Sequence, residues 1–179
     1  GSLAVAVISA GYSYFSFRIA KKSLKLAQEQ EKRHHPLLKV SLNSSFSIFN
    51  GDKNIVLYAF SLSIGNPTDI DNSINKVEMV IYYKKGSQLC NFTTYHDSNL
   101  KNYCKGITSY ELPIGVLSHQ TNFGWVLFSI SNDIISDAII ESYKVLITDT
   151  HDITIELEPI IVCEVLQNEY MGKKQNIIQ

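Results

Sequence analysis

Ile55-Val56-Leu57-Tyr58-Ala59-Phe60-Ser61-Leu62-Ser63-Ile64, followed by Gly65-Asn66-Pro67-Thr68-Asp69, is the stretch on which the fold turns. Ten residues, eight of them β-branched, aliphatic or aromatic, closed by a cluster of turn formers, predict a strand that ends in a turn. Upstream, Leu38, Val40 and Leu42 alternate with Lys39, Ser41 and Asn43, and Asn50-Gly51-Asp52 marks the turn between the two runs. Downstream, similar runs predict strands at Lys76–Lys84, Gln88–Thr94, Ile107–Leu112, Thr121–Ile130, Tyr143–Asp149 and Ile153–Val162. In the last of these Ile153, Ile155 and Leu157 alternate with Thr154, Glu156 and Glu158, so one face is wet. Such alternation belongs to antiparallel sheets, since parallel strands are apolar throughout and separated by crossover helices. Asn132–Ser142 is the one helix-like stretch within this part, with Asn132 or Asp133 as its cap. The expectation is a mainly β, antiparallel β-sandwich of about seven to eight strands over residues 37–167, with a flexible tail over 168–179.

The N-terminal part has a different character. Leu3 to Ala20 reads LAVAVISAGYSYFSFRIA, with no charge before Arg18. As a helix these residues extend about 27 Å, close to the roughly 30 Å hydrocarbon core of a bilayer. Tyr12, Tyr14, Phe15 and Phe17 precede the cations Arg18, Lys21, Lys22 and Lys25, the order of an aromatic belt giving way to headgroup-level charge. A secretory leader has its charges before the apolar run, and here they follow it. Residues 1–20 are therefore expected to be a membrane-spanning helix, truncated if membrane sequence precedes it. Residues 21–36 form a basic helical neck that Pro36 stops. Ala6, Ser9, Ala10, Ser13 and Ser16 recur at steps of three or four, and a stripe of small residues suits helix–helix packing in lipid.

The near-neutral net charge of −1 conceals a split. Residues 1–36 hold six basic and two acidic side chains, and the remainder holds ten basic and fifteen acidic. An acidic body offering only the pairs Lys84-Lys85 and Lys173-Lys174 argues against a nucleic-acid partner, which needs a clustered cationic face. The basic neck matches anionic lipid headgroups, and by the positive-inside rule it places the β-domain in the cytoplasm. Three cysteines are then free thiols; the opposite orientation would let Cys90 and Cys104 pair and would expose the sequons at Asn43 and Asn91.

The run Ala20-Lys21-Lys22-Ser23-Leu24-Lys25-Leu26-Ala27-Gln28-Glu29-Gln30, then Pro36 and a strand, then Ser61-Leu62-Ser63-Ile64-Gly65-Asn66-Pro67-Thr68, resembles a broad group of bacterial membrane proteins of unassigned activity. These combine a membrane helix, a charged helical neck and an immunoglobulin-like sandwich. Gly124-Trp125-Val126-Leu127-Phe128 and Tyr143-Lys144-Val145-Leu146-Ile147-Thr148-Asp149 are similar to the closing strands of such sandwiches. The resemblance implies an immunoglobulin-like fold, and the group has no reaction to lend.

The chain lacks the phosphate-cradling glycine loops, G-x-S-x-G, H-E-x-x-H and C-x-x-C. Four polar clusters remain. His34-His35 are adjacent, and on a helix adjacent side chains point about 100° apart, which suits a solvated neck better than a metal. Cys90, His96, Asp97 and Cys104 offer soft and imidazole ligands at a spacing that matches no standard zinc site. Asn66, Asp69, Asp71 and Asn72 read as a calcium loop or as an Asx-rich turn, and the missing bidentate Glu favours the turn. Asp149, His151 and Asp152 place an acid beside an imidazole at a hairpin tip, where catalysis would need a serine brought in by folding. Trp125 reads as core, and Gly124 beside it as a bulge or a close backbone approach.

The function expected from these readings is non-enzymatic: a membrane-anchored binding or scaffolding module, without cofactor or metal, that presents its β-domain to a partner protein or to a second copy of itself. The alternative is a ligand-gated membrane effector, whose β-domain senses a small molecule and whose helices oligomerise.

Overall fold

The structure, a computed structural model, describes residues 16–28, 37–104, 106–160 and 164–166. Residues 16–28 form a helix, α1, that continues across the expected boundary between membrane span and neck. Among the described residues no helix is long and apolar enough to cross a membrane. Ala6, Ser9, Ala10 and Ser13 of the small-residue stripe, His34, His35 and the tail 168–179 lie outside the described residues.

The rest is mainly β, in two largely antiparallel sheets. The strands are β1 (Lys39–Asn50), β2 (Ile55–Gly65), β3 (Asn72–Lys85), β4 (Gln88–Tyr95), β5 (Ile114–Val116), β6 (Thr121–Ser131), β7 (Ile139–Asp149), β8 (Thr154–Leu157) and β9 (Glu164–Leu166). One sheet has the order β6-β2-β1-β9; the other has β4-β3-β7-β8, with β5 also on β3. The β1–β9 pair is parallel, and every other strand pair is antiparallel. Tyr58, Phe60, Leu62 and Ile64 of β2 and Val126, Phe128 and Ile130 of β6 share one buried core with Val77, Met79 and Ile81 of β3 and Val145 and Ile147 of β7. The two sheets thus close on each other through one face of each strand.

β2 is buried on its other face as well. Between Leu42 and Ser44 a bulge shifts the register of β1, so that Leu42 packs against the main core whereas Phe46 and Ile48 turn to the outer face. There they meet Leu57 and Ala59 of β2, Leu127 and Trp125 of β6, and a cover formed by Leu100, Tyr103, Cys104 and Ile107. This cover comes from the 3₁₀ helix Ser98–Tyr103, capped by Asp97, whose carboxylate accepts the Asn99 N–H.

Several expected boundaries are corrected. Ile107–Leu112 is not a strand: it makes a single bridge, Ser109 to Trp125, and the short strand β5 follows Pro113. The helix expected over Asn132–Ser142 is one turn, α2 (Asn132–Ile135), capped by Ser131 in place of Asn132 or Asp133. Beyond it Ile139 and Ile140 pair with Lys84 and Tyr83, a sheet contact that outweighs local helical preference. The last expected strand, Ile153–Val162, is shorter, since β8 ends at Leu157, and β9, beyond the expected range, pairs separately with β1.

Candidate functional site

The basic residues of α1 form a geometric unit. Arg18, Lys21, Lys22 and Lys25 stand at i, i+3, i+4 and i+7, which places them on one helix face. Phe17, Ile19, Ala20, Leu24 and Ala27 occupy the other side, and the whole helix, from Ser16 on, is exposed. Among the described residues none of the four cations is in an ion pair. A helix with cations on one side and apolar groups on the other suits a membrane interface, where alkyl stems reach toward the acyl region and charges meet headgroups.

A cleft of about 350 Å³ opens at the end of the β6-β2-β1 sheet where the chain enters β1. Lys39, Ser41, Ser63, Gly65, His119 and Thr121 are among the residues that line it. Gly65 keeps it open, because a Cβ there would lie 3.1 Å from Thr121 Oγ1. Two of its polar groups are engaged within the fold: Ser63 exchanges hydrogen bonds with Asn43, and His119 Nε2 lies 2.7 Å from Asp69 Oδ1. Among the described residues no hydroxyl is hydrogen-bonded to His119.

The clusters singled out in the sequence turn out to be joints of the fold. Asn66 is buried; its amide donates to the carbonyls of Ile70 (2.7 Å) and Val116 (3.0 Å), and its Oδ1 accepts from the Thr68 N–H and hydroxyl. Asp71 accepts the Ser118 N–H, and Asn72 donates to Asp149 at 2.8 Å. The group Asn66, Asp69, Asp71 and Asn72 is therefore an Asx-type turn tied to the strand β5 and the loop after it. Asp149, only 3 % exposed, accepts the backbone N–H groups of His151 and Ile153 through Oδ1, which ties the β7–β8 turn. Among the described residues no three His, Cys, Asp or Glu side chains are placed to hold a metal ion.

The cluster of Cys90, His96, Asp97 and Cys104 separates. Cys90 on β4 and Cys104 beneath the 3₁₀ helix are both free, and burial pushes the Cys104 thiol above its ordinary pKa. His96, weighed in the sequence as a ligand at a spacing that fits no standard zinc site, is a structural pivot. Its Nδ1 accepts the Leu127 N–H at 2.9 Å and its Nε2–H donates to the Tyr110 carbonyl at 2.9 Å, partners that set the Nε2–H tautomer. Tyr110, which the sequence did not single out, lies with its ring over Gly124 and its hydroxyl 3.3 Å from the Leu62 carbonyl. Burial pushes its phenol up to about 12. Trp125 is half-buried against Phe46, with ring centroids 5.3 Å apart, and has a packing role.

No protein-family model matches this sequence, and no curated protein is similar to it. Solved structures match at low similarity. A Bordetella pertussis protein bearing the name ApaA is 9% identical over 70% of this chain and 89% of its own, with a TM-score of 0.36. A β-glucosidase from Listeria innocua is 10% identical over 74% of this chain and 16% of its own, with a TM-score of 0.32.

Proposed function

We propose that this chain is a membrane-anchored, non-enzymatic binding module: a helix holds it at the bilayer, a basic face sets its orientation, and an immunoglobulin-like β-domain is presented to a partner protein. The observation that carries this reading is the exposed stripe Arg18, Lys21, Lys22 and Lys25, continuous with the apolar run before it. The engagement of His96, His119, Asp149 and Asn66 within the fold supports a binding role over a catalytic one. The immunoglobulin-like assignment rests on strand order: β1-β2-β6 matches the A-B-E set of that fold, and β4-β3-β7-β8 matches C′-C-F-G.

Membrane fractionation of the full chain tests the reading. The protein stays with membranes through an alkaline carbonate wash, and a chain found wholly in the soluble fraction overturns the proposal. Replacing the four cations with glutamine removes the preference for phosphatidylserine over phosphatidylcholine vesicles in flotation, by up to about 1 kcal/mol per residue.

A further inference from the structure

Sheet edges expose unpaired N–H and C=O groups, and folded proteins blunt them with cover, charge, proline or bulges. Three of the four edges here are treated in this way. β6 is covered along its free side: Tyr110 N–H donates to Trp125 O, Trp125 N–H to Thr108 O, Asp97 N–H to Leu127 O, and the Thr94 hydroxyl to Ser129 O. The other edge of that sheet is β9, which is only three residues long, and beside it Ser45 Oγ of β1 donates to Ile160 O. β8 is four residues long and carries the Glu156–Lys144 ion pair.

β4 differs from all three. It is eight residues long, QLCNFTTY, with no charged residue and no proline, and it pairs with β3 without a bulge. Among the described residues its backbone hydrogen-bonds to no strand but β3. Leu89 and Tyr95 point outward from it, 63% and 61% exposed.

We infer that the free edge of β4 pairs antiparallel with β4 of a second copy. A two-fold pair centred on Phe92 sets Leu89 of each copy opposite Tyr95 of the other on the exposed face, an apolar–aromatic cross-strand pair made twice. Asn91 then faces Thr93, so no like charges meet across the axis. The same register brings the Lys85 end of one β3–β4 hairpin beside the Asp97 end of the other, which is complementary in sign. A second copy fits this edge because its two apolar side chains are spaced symmetrically about one residue. The two four-stranded paths join into one continuous sheet, an isologous contact that closes on itself.

The full chain in detergent, with Cys90→Ser as background, tests the register. Directly opposed residues bring Cα atoms to about 4.5–5.5 Å, within disulfide range, whereas a slip of two residues does not. Under mild oxidation a mixture of Asn91→Cys and Thr93→Cys chains gives a disulfide-linked dimer, and neither variant does so alone. Sedimentation gives a dimer for the unaltered chain and a monomer for Leu89→Lys/Asn91→Lys, whose thermal midpoint stays within a few degrees. A monomeric unaltered chain overturns the inference. So does a dimer that survives the lysines, which would place assembly on α1 or another face, and so does a mixture that fails to cross-link.

Discussion

A methyl group added at Gly124 would stand 2.9 Å from the Tyr110 ring, which is buried and tethered through its hydroxyl to Leu62 O. The ring cannot yield freely, so Gly124→Ala costs about 1–3 kcal/mol, read as a lowered urea midpoint. Gly124 is legible in the sequence as a close approach, but its partner is fourteen residues away in a loop, and only folding names it. Tyr110 also makes stability depend on pH. Its phenol is raised to about 12 from the ordinary 10.0, so the folded state holds a proton that the unfolded chain releases first. The contribution is whole below pH 10 and is lost as pH rises toward 12, with a slope of at most about 1.4 kcal/mol per pH unit. Tyr110→Phe removes that slope from the alkaline denaturation profile and lowers stability at neutral pH by about 1 kcal/mol, the worth of one hydrogen bond.

At the scale of elements, the segment from His96 to Tyr110 is the feature that pattern reading misplaced. Ile107–Leu112 has the composition of a strand, yet its hydrogen bonds go to one bridge beside Trp125, and Pro113 ends it without a donor. His96 helps to hold the segment against β6, through Leu127 and the Tyr110 carbonyl, beside the backbone bonds of Asp97, Thr108 and Tyr110. His96→Ala removes both bonds and orphans the Leu127 N–H, a loss of about 1–3 kcal/mol, with faster amide hydrogen exchange at Leu127 and Asp97. His119→Ala serves as the comparison: its pair with Asp69 is exposed, and the loss there stays below about 1 kcal/mol. Alternation made the start of β1 readable, and runs of β-branched and aromatic residues closed by turn signals made β2 and β6 readable, because these strands pack into continuous cores. The bulge in β1 and the short helix α2 were not readable, since both depend on neighbours across the sheet.

At the scale of the molecule, one core joins the two sheets through Phe60 and Phe128, whose rings meet edge-on at 5.9 Å. Phe128→Ala removes about 3–5 kcal/mol, a large part of a typical domain's roughly 5–15 kcal/mol. Urea unfolding is expected to show a lower midpoint with an unchanged slope. The sequence by itself determined that the body is built of half-buried antiparallel strands, that charge is divided between a basic neck and an acidic body, and that the cations of α1 share one face. Those properties follow from the order of side chains along the chain, which periodicity and spacing report directly. Tertiary structure alone decided that His96 and Asp149 serve as braces and where the Asx turn is tied. It also left β4 as a long edge strand whose only strand partner, among the described residues, is β3. Each of these depends on which backbone groups find partners across the sheets, a quantity that local sequence does not carry.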